Sequence, residues 1–282
     1  MTSAILAAPD SFDVIYRLND LTGALGSVDR ERAMAQWGRL RERLATLTGE
    51  DIGVVPATPE LPDLVFVSNT ALLFRAGDGT RTAILARFAK SERQGESAVV
   101  GQWLRAGGWS VVELPEGANF EGQGDCRWSH GGRMLWVGYG AGRTTLRGVA
   151  AVRAALVAAG RADIRVHPLA LVSGLAYHMD LALCPFGAGR ERVLWSPWAF
   201  APAGRTALRA AFGAGLVAVP RRFAWACNSV SIGSRTLLVP RDGAEGYRSW
   251  LRGATGQRIV EVNVSEFQKA GGGVSCMVLI AP

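Results

Sequence analysis

The sequence predicts an α/β fold built from five copies of one unit, in which two strands, a helix and a further strand follow one another. Five segments place apolar residues at the three- and four-residue spacing of an amphipathic helix. Each helix is followed by a short run that predicts a strand, and short extended runs precede it. The unit returns at intervals of roughly 40 to 65 residues, which is typical of a divergent internal repeat. Five such ββαβ units make a ring.

The elements follow in order along the chain. The opening MTSAILAAPDSFD has no basic region and reaches Asp10 early, so it predicts a first strand and not a secretion signal. The helical segments span about residues 28–47, 92–106, 145–159, 204–213 and 243–253. The strands after them are IGVV, WSVVEL, IRVHPL, GLVAV and RIVEVNV. No linker or change of composition divides the chain, so we expect a single domain over residues 1–282.

Composition and charge exclude several classes of protein. Apolar residues make up 49% of the chain and include 9 Trp, enough for a sizeable core and too many for a disordered chain. No apolar run approaches the roughly 18 residues of a membrane span, so we expect no membrane partner. The net charge of +7 rests almost wholly on arginine, because Lys90 and Lys269 are the only lysines. These arginines alternate with acids, which favours solvated surfaces over a nucleic-acid partner.

The 4 cysteines include no CxxC pair and the histidines number 3, so no zinc cluster is expected. We expect a cytoplasmic protein that uses no cofactor or metal, with its cysteines reduced.

Cys276 follows three glycines in KAGGGVSCMVLIAP, just where a short strand is predicted. Glycines let the backbone approach a ligand closely, so the thiol is a candidate nucleophile. The alternative is a buried core cysteine, because cysteine is often inert filler in apolar strands.

His178 lies in LAYHMDLALCPF, which predicts an apolar strand. Residues i and i+2 of a strand share a face, so His178 and Asp180 are expected to point to the same side. A structural histidine remains the alternative to a catalytic one. Glu121 and Asp125 in NFEGQGDCRW can shape a cationic pocket or orient a histidine, or they can belong to a polar turn that faces water.

Two further segments carry polar residues next to apolar ones. PDLVFVSNTALLF places Asp63 before a predicted strand and Asn69 after it, and a buried amide there needs partners in a structural network or in a ligand. Arg93 and Arg143 each lie near the start of a predicted helix, where the helix dipole disfavours a cation. Binding of a carboxylate would explain them, and ordinary surface arginines are the alternative.

Seven strings of the sequence, four of which overlap the segments described above, together resemble the guanidine-modifying enzymes of the pentein superfamily. In chain order they are PDLVFVSNTALL, RFAKSERQGES, FEGQGDCRW, LWVGYGAGRTT, YHMDLALCPF, AWACNSV and SEFQKAGGGVSCM. The superfamily includes arginine deiminases, dimethylarginine dimethylaminohydrolases, amidinotransferases and arginine dihydrolases. The chain is most similar to the arginine dihydrolase domain, through FEGQGD, YHMD and KAGG. The resemblance runs from about Ile5 to Leu279 and implies a five-bladed α/β propeller.

The resemblance also implies roles for individual residues. The family's nucleophile matches Cys276, its acid/base histidine matches His178, and the carboxylate that supports this histidine matches Glu121. The substrate-binding positions match the guanidine-binding acid Asp180, the carboxylate-binding Arg93 and Arg143, the amine-binding Asp63, and Asn19.

One departure bears on the reaction. Deiminases and dimethylarginine hydrolases typically carry Asp where this chain has Asn69. An amide both donates and accepts hydrogen bonds, so it suits a neutral urea as well as a cationic guanidinium. That favours an enzyme that binds citrulline after arginine. The segment DLTGALG also departs from the dihydrolase pattern, which leaves the shape of the substrate open.

The resemblance therefore implies a hydrolase that acts on the guanidino group of arginine or a close derivative through a covalent thiouronium on the cysteine. The alternatives are an amidinotransferase, which passes the amidino group to an amine, and a non-catalytic binding protein of the same fold. The expected partner is a small guanidino compound. Association into a homo-oligomer is left open.

Overall fold

The computed structural model describes residues 4–281, which form strands and helices in the predicted order. The strands are β1 (Ala4–Ala7), β2 (Gly53–Val55), β3 (Ala71–Arg75), β4 (Arg81–Leu85), β5 (Ser110–Val112), β6 (Cys126–Ser129), β7 (Met134–Gly140), β8 (Arg165–Leu171), β9 (Leu183–Phe186), β10 (Arg192–Trp195), β11 (Leu216–Ala218), β12 (Val230–Ile232), β13 (Thr236–Pro240), β14 (Arg258–Val262) and β15 (Leu279–Ile280). The helices are α1 (Arg30–Thr48), α2 (Glu96–Ala106), α3 (Leu146–Ala158), α4 (Pro202–Phe212), α5 (Tyr247–Thr255), α6 (Ser265–Gln268) and α7 (Val274–Met277). The five predicted helices and the strands after them are confirmed.

Local sequence signals set the helix ends. The Asp29 side chain accepts a hydrogen bond from the backbone N–H of Arg32 at 3.0 Å and so begins α1. Gly49 ends the same helix with a φ of 70°, in the left-handed region that glycine adopts without strain. Thr145 caps α3 in the same way as Asp29 caps α1, and Pro202 opens α4.

The strands form five three-stranded sheets, and each sheet repeats one pattern. A first strand pairs antiparallel with a middle strand, and a third strand returns after a helix to pair parallel with the middle one. We call the first strands β3, β6, β9, β12 and β15 the leading strands. The sheet of β1 and β2 receives its leading strand from the other end of the chain, because Ala4 pairs with Ile280. The predicted ββαβ unit is therefore confirmed as a mixed α/β fold of five small sheets.

The core consists of five apolar clusters, and each joins two neighbouring sheets. Alternate residues of a strand face opposite sides, so Leu72 packs towards the third sheet while Leu73 packs towards the first. The same alternation separates Leu237 from Leu238 in β13. The last cluster joins the fifth sheet to the first, through Leu238 and Leu6. The clusters thus connect the sheets in a closed cycle.

Within residues 4–281, no helix is both long and apolar enough to cross a membrane.

Candidate active site

Polar side chains stand just before each leading strand, and they converge on one cavity. Asn69 precedes β3, Glu121 precedes β6, and His178 with Asp180 precedes β9. Asn228 precedes β12 and Cys276 precedes β15. Each of these six side chains is buried. The repeat of the fold therefore brings residues that are far apart in sequence to one end of the sheets.

Cys276 lies in α7, directly after the glycine run. Its Sγ donates a hydrogen bond to Oδ2 of Asp180 at 2.9 Å and accepts one from Nδ2 of Asn228 at 3.1 Å. The Asn228 side chain also accepts a hydrogen bond from the Ser275 N–H at 3.0 Å, which fixes the turn that carries the thiol. A Cβ on Gly273 would come within 2.5 Å of Oδ1 of Asn228, so the close approach of this amide requires glycine there.

Burial raises the pKa of the Cys276 thiol well above its usual value, and the negative charge of Asp180 raises it further. The Asn228 hydrogen bond acts in the opposite direction but is the weaker influence. The thiol is therefore protonated at neutral pH in the free protein. A cation placed beside Asp180 would lower this pKa, because it would offset the carboxylate charge.

His178 is held by two partners. Its Nε2 lies 2.7 Å from Oε2 of Glu121, and its Nδ1 lies 3.2 Å from the amide nitrogen of Asn69. A carboxylate only accepts and an amide NH₂ only donates, so whenever the ring is neutral its proton lies on Nε2 and its lone pair on Nδ1 faces the Asn69 amide. The Asn69 amide keeps this orientation because its Oδ1 lies 3.5 Å from a guanidinium nitrogen of Arg93.

Glu121 is fully buried and yet ionised. Burial alone would raise its pKa, but the His178 hydrogen bond and the charges of His178, Arg143 and Arg93 lower the pKa of Glu121 to about 2. Nη1 of Arg143 lies 3.3 Å from Oε2 of Glu121, and the Ala89 N–H donates to Oε1 at 3.3 Å. The carboxylate is thus fixed in its charged form beside the imidazole.

Asp125 lies behind Glu121, and its carboxylate bonds to neighbouring protein groups and does not face the cavity. It accepts hydrogen bonds from the Thr144 hydroxyl at 2.6 Å and from the Met179 N–H at 3.2 Å. Burial raises the pKa of Asp125 to about 6. Gly124 makes room nearby, because a Cβ there would come within 1.9 Å of the Asn69 amide nitrogen.

The other end of the cavity carries the two arginines. Arg93 forms a two-pronged ion pair with Glu96, at 2.7 Å for each bond, and Arg143 donates to the Leu18 carbonyl at 2.8 Å. Burial raises the pKa of Asp63, which lies on the same wall. Asn19 donates to the Ala270 carbonyl at 3.0 Å and so lies across the glycine run.

Seven of the nine sequence-predicted site residues line this cavity together. They are Asn19, Asp63, Asn69, Arg93, Arg143, His178 and Cys276. Glu121 and Asp180, the other two, lie directly behind His178 and Cys276 with 0% of their surface exposed. The cavity volume is about 20 Å³, so an amino acid enters only when the lining side chains move apart.

Three sequence-based predictions of local structure are wrong. His178 and Asp180 are not on a strand. His178 immediately precedes a 3₁₀ turn ahead of β9 and Asp180 lies in that turn, because the Met179 N–H is taken by the Asp125 carboxylate and not by a neighbouring strand. Cys276 lies in the short helix α7 instead of a strand. The VFV of PDLVFVSNT forms consecutive 3₁₀ turns, with Asn69 in the second.

Sequence reasoning missed Asn228 and Glu96 as parts of the site. Asn228 belongs to AWACNSV, a string that carried the resemblance but no assigned role. An amide among apolar residues needs partners, which was the available signal. Glu96 lies three residues after Arg93, a helical spacing that predicts an ion pair.

The part of the chain that the structure describes contains no cluster of three or more His, Cys, Asp or Glu side chains arranged to hold a metal ion.

Comparison with known proteins finds close relatives over nearly the whole chain, although no protein-family model matches it. It is 33% identical over 275 residues to the N(G),N(G)-dimethylarginine dimethylaminohydrolase of Mycobacterium tuberculosis, which covers 97% of this chain and 84% of that protein. It is 32% identical over 297 residues to AgrE of Nostoc sp., a bifunctional arginine dihydrolase/ornithine cyclodeaminase. That match covers 99% of this chain but 38% of AgrE, so the chain spans about two fifths of this relative.

Solved structures give the same result. The N-terminal domain of ArgZ, an arginine dihydrolase from cyanobacteria, superimposes with a TM-score of 0.88 in a form covalently bound to a reaction intermediate. The sequences are 28% identical, and the match covers 99% of this chain and 97% of that domain.

Proposed function

The chain belongs to the family of guanidine-modifying enzymes that includes the dimethylarginine dimethylaminohydrolases and the arginine dihydrolase domains, and from this premise we propose that it hydrolyses the guanidino group of arginine or of a close arginine derivative. One observation carries the proposal. The Cys276 thiol and the His178 imidazole line the same cavity, each with a buried carboxylate directly behind it.

The substrate cation activates the nucleophile in this mechanism. A guanidinium that binds beside Asp180 offsets the charge that keeps the Cys276 thiol protonated. The thiol proton then passes to Nδ1 of His178, which the Asn69 N–H has to release for this step, and the imidazolium is stabilised by ionised Glu121. Binding and activation are thus one event.

The covalent steps follow. The thiolate attacks the central guanidino carbon, and a carbon–sulfur bond forms. One carbon–nitrogen bond breaks as His178 returns the proton to the departing amine, which leaves a thiouronium on Cys276. Water then attacks the same carbon, His178 takes its proton, and the carbon–sulfur bond breaks. The products are a urea and, for unmodified arginine, one ammonia.

The remaining site residues would hold the amino-acid end of the substrate. Arg93 and Arg143 supply guanidinium groups for the α-carboxylate, and Asp63 and Asn19 offer acceptors for the α-amino group. Arg93 keeps its Glu96 partner, so it is already oriented before the substrate arrives.

Asn69 supports a second round of hydrolysis. Its amide nitrogen is directed at His178 and its oxygen at Arg93, so the side chain presents both a donor and an acceptor at the reacting end. A neutral urea needs both, whereas a second carboxylate would suit only a cation. We therefore favour a dihydrolase, which releases two ammonia per arginine, over a deiminase.

Two measurements test this function. Mass spectrometry of the intact protein, quenched during turnover of L-arginine, is expected to show an adduct that is absent from Cys276→Ser. Two ammonia and ornithine per arginine support the dihydrolase, and one ammonia with accumulating citrulline supports the deiminase. New guanidino products in the presence of added amines would identify an amidinotransferase. Absence of any adduct and of any turnover would overturn the proposal.

The same premise extends to the whole chain. We propose that the five sheets are the blades of a five-bladed propeller, since the apolar clusters join them in a closed cycle. We also propose that residues 1–282 act as a single catalytic domain on a small-molecule substrate in the cytoplasm. A reducing compartment suits the four cysteines, all of which are free thiols.

A further inference from the structure

A second cavity lies at the far ends of the leading strands. Residues before these strands line the active cavity, whereas the second one is lined mainly by residues within or after them. Four of its lining residues also precede a leading strand: Gln123, Ser229, Ser275 and Val278. Next to β3, Asn69 lines the active cavity and Arg75, at the end of the strand, lines the second. Next to β15, Cys276 lines the first and Ile280 the second. The volume of the second cavity is about 500 Å³, which is within the range of small-molecule sites.

The charge on the walls of this cavity has one sign. Arg75, Arg127, Arg161 and Arg190 are among its lining residues, and no Asp or Glu is. Arg161 is paired with Asp163 at 2.8 Å outside the cavity. The cavity therefore concentrates positive charge in a partly enclosed space, which attracts anions.

Among the four arginines that line this cavity, Arg190 is the one with neither an ion pair nor a side-chain hydrogen bond in the described chain. Burial lowers the pKa of Arg190, and the like charge of Arg127 also lowers it. Its φ is 54°, in the left-handed region that favours glycine, so the backbone holds a side chain there at a cost in strain.

Two other lining residues carry polar atoms that lack a protein partner. The indole nitrogen of Trp128 and the hydroxyl of Ser231 are buried and unpaired within the described chain. Both groups donate hydrogen bonds, and a buried donor needs an acceptor. The oxygen atoms of a bound anion would be such acceptors.

Arg127 connects the two cavities. It lines the second cavity, and its guanidinium donates to the Ser275 hydroxyl at 2.7 Å and lies 3.8 Å from Oδ2 of Asp180. Asp180 in turn accepts the hydrogen bond of the Cys276 thiol. The positive charge of Arg127 thus partly offsets the carboxylate that raises the pKa of the nucleophile.

We propose that the second cavity binds a phosphate-bearing anion through Arg190, and that Arg127 transmits the charge of this anion to Asp180 and Cys276. A guanidinium matches phosphate oxygens with two parallel hydrogen bonds, which a lysine would not do. A bound anion offsets Arg127, so Asp180 acts more strongly on the thiol. The anion is therefore an inhibitor that slows formation of the thiolate.

The first experiment measures binding. Calorimetric titration with tripolyphosphate, and separately with inorganic phosphate, is carried out at constant ionic strength on the intact protein, on Arg190→Gln and on Arg39→Gln. Arg39 is an exposed arginine of α1 and serves as the matched control. Loss of a hydrogen bond to a charged group costs a factor of about 10 to 150 in affinity, so Arg190→Gln should bind at least tenfold more weakly while Arg39→Gln is unchanged. Equal binding by all three proteins, or none, would overturn the proposal.

A second titration excludes binding at Arg93 and Arg143. Cys276→Ser is saturated with L-arginine before tripolyphosphate is added, and binding should persist. Displacement of the anion by arginine would place it in the active cavity and contradict the proposal.

The third readout is the thiol itself. Alkylation of Cys276 by iodoacetamide at pH 8 should slow several-fold when tripolyphosphate is bound, and it should not slow in Arg190→Gln. An alkylation rate that does not change when tripolyphosphate binds would contradict the proposal that Arg127 transmits the charge of the anion to Cys276. The first and third measurements require neither turnover nor binding of arginine, so they stand or fall separately from the proposed hydrolase activity, on which only the saturation with L-arginine rests.

Discussion

The two sides of the active cavity differ in how the negative charge of a buried carboxylate is balanced by neighbouring cations. On the histidine side, Glu121 has His178 at 2.7 Å and Arg143 at 3.3 Å, and the pKa of Glu121 is lowered to about 2. On the sulfur side, Asp180 has its nearest cationic group, Arg127, at 3.8 Å, and its hydrogen-bond partner is a neutral thiol. One side is charge-balanced in the free protein. The other lacks a cation, which the substrate supplies in the proposed mechanism.

This difference indicates how an enzyme keeps a reactive thiol protonated until it is needed. In the proposed mechanism the cation arrives with the substrate, so the nucleophile forms only in the complex. The variants below either remove one side of the cavity or move charge from one side to the other.

The largest effect is expected from the nucleophile. Cys276→Ser should lose on the order of 10⁴-fold or more in kcat, because the covalent step disappears. His178→Ala should lose about 10² to 10⁴-fold, the usual contribution of a general acid/base. Steady-state ammonia release measures both. Cys184→Ser, a buried thiol that lines the second cavity, is the control and should stay within a few-fold of the unmodified protein. Ordinary turnover by Cys276→Ser would contradict the mechanism.

On the histidine side, the ionisation of Glu121 should make the free energy of unfolding depend on pH. The pKa of Glu121 is lowered from 4.5 to about 2 on folding, so its charge stabilises the folded state. That stability is fully present above the unfolded value of 4.5 and is lost as the pH falls towards 2. It is on the order of 3 kcal/mol. Urea unfolding from pH 7 to pH 2 should show the gap between the unmodified protein and Glu121→Gln shrinking by about this amount. A gap independent of pH would mean that Glu121 is not ionised in the fold.

Asp180→Asn should separate binding from activation. Loss of the carboxylate weakens the hold on the guanidinium, and kcat/KM should fall by about 10- to 150-fold. The same change removes a negative charge beside Cys276, so the thiol pKa falls and alkylation without substrate becomes faster. Initial-rate kinetics and iodoacetamide labelling at pH 7 measure the two effects. Asp163→Asn, at an exposed ion pair, is the control. Slower labelling of Asp180→Asn would show that the carboxylate does not raise the thiol pKa.

The smallest effect is expected at Asn228. Asn228→Ala removes the hydrogen bond to sulfur together with the one that this side chain accepts from the Ser275 N–H, and we expect roughly a five- to tenfold loss in kcat. It should raise the pKa of Cys276 and therefore slow alkylation, the opposite of Asp180→Asn. In Asn228→Ala the pH profile of Cys276 labelling should shift to higher pH. Asn263→Ala, the control, removes a side chain that accepts a hydrogen bond from the Ser265 N–H and should leave the profile unchanged. A profile identical to that of the unmodified protein would reduce Asn228 to a structural role.

Much of the fold could be predicted from the sequence because it is encoded in local periodicity. The helix α3 appears in the spacing of Val149, Val152 and Leu156, which face the core together. The site strings could also be recognised, through their resemblance to a known family of enzymes. The turns around His178 and Cys276 could not, because side chains distant in sequence determine them. Asp125 lies 54 residues from Met179, and Asn228 lies 47 residues from Ser275, yet their side chains bind the backbone N–H groups that a strand would use.

The pairing of Ala4 with Ile280 has a consequence for folding. It joins segments from opposite ends of the described chain, and contacts at such large sequence separation form slowly because a long loop must close first. α7 immediately precedes β15, so Cys276 becomes buried only when this sheet closes. Until this sheet closes, solvent and oxidants can reach the thiol. The yield of active protein on refolding should therefore depend on a reductant far more than the stability of the finished enzyme does.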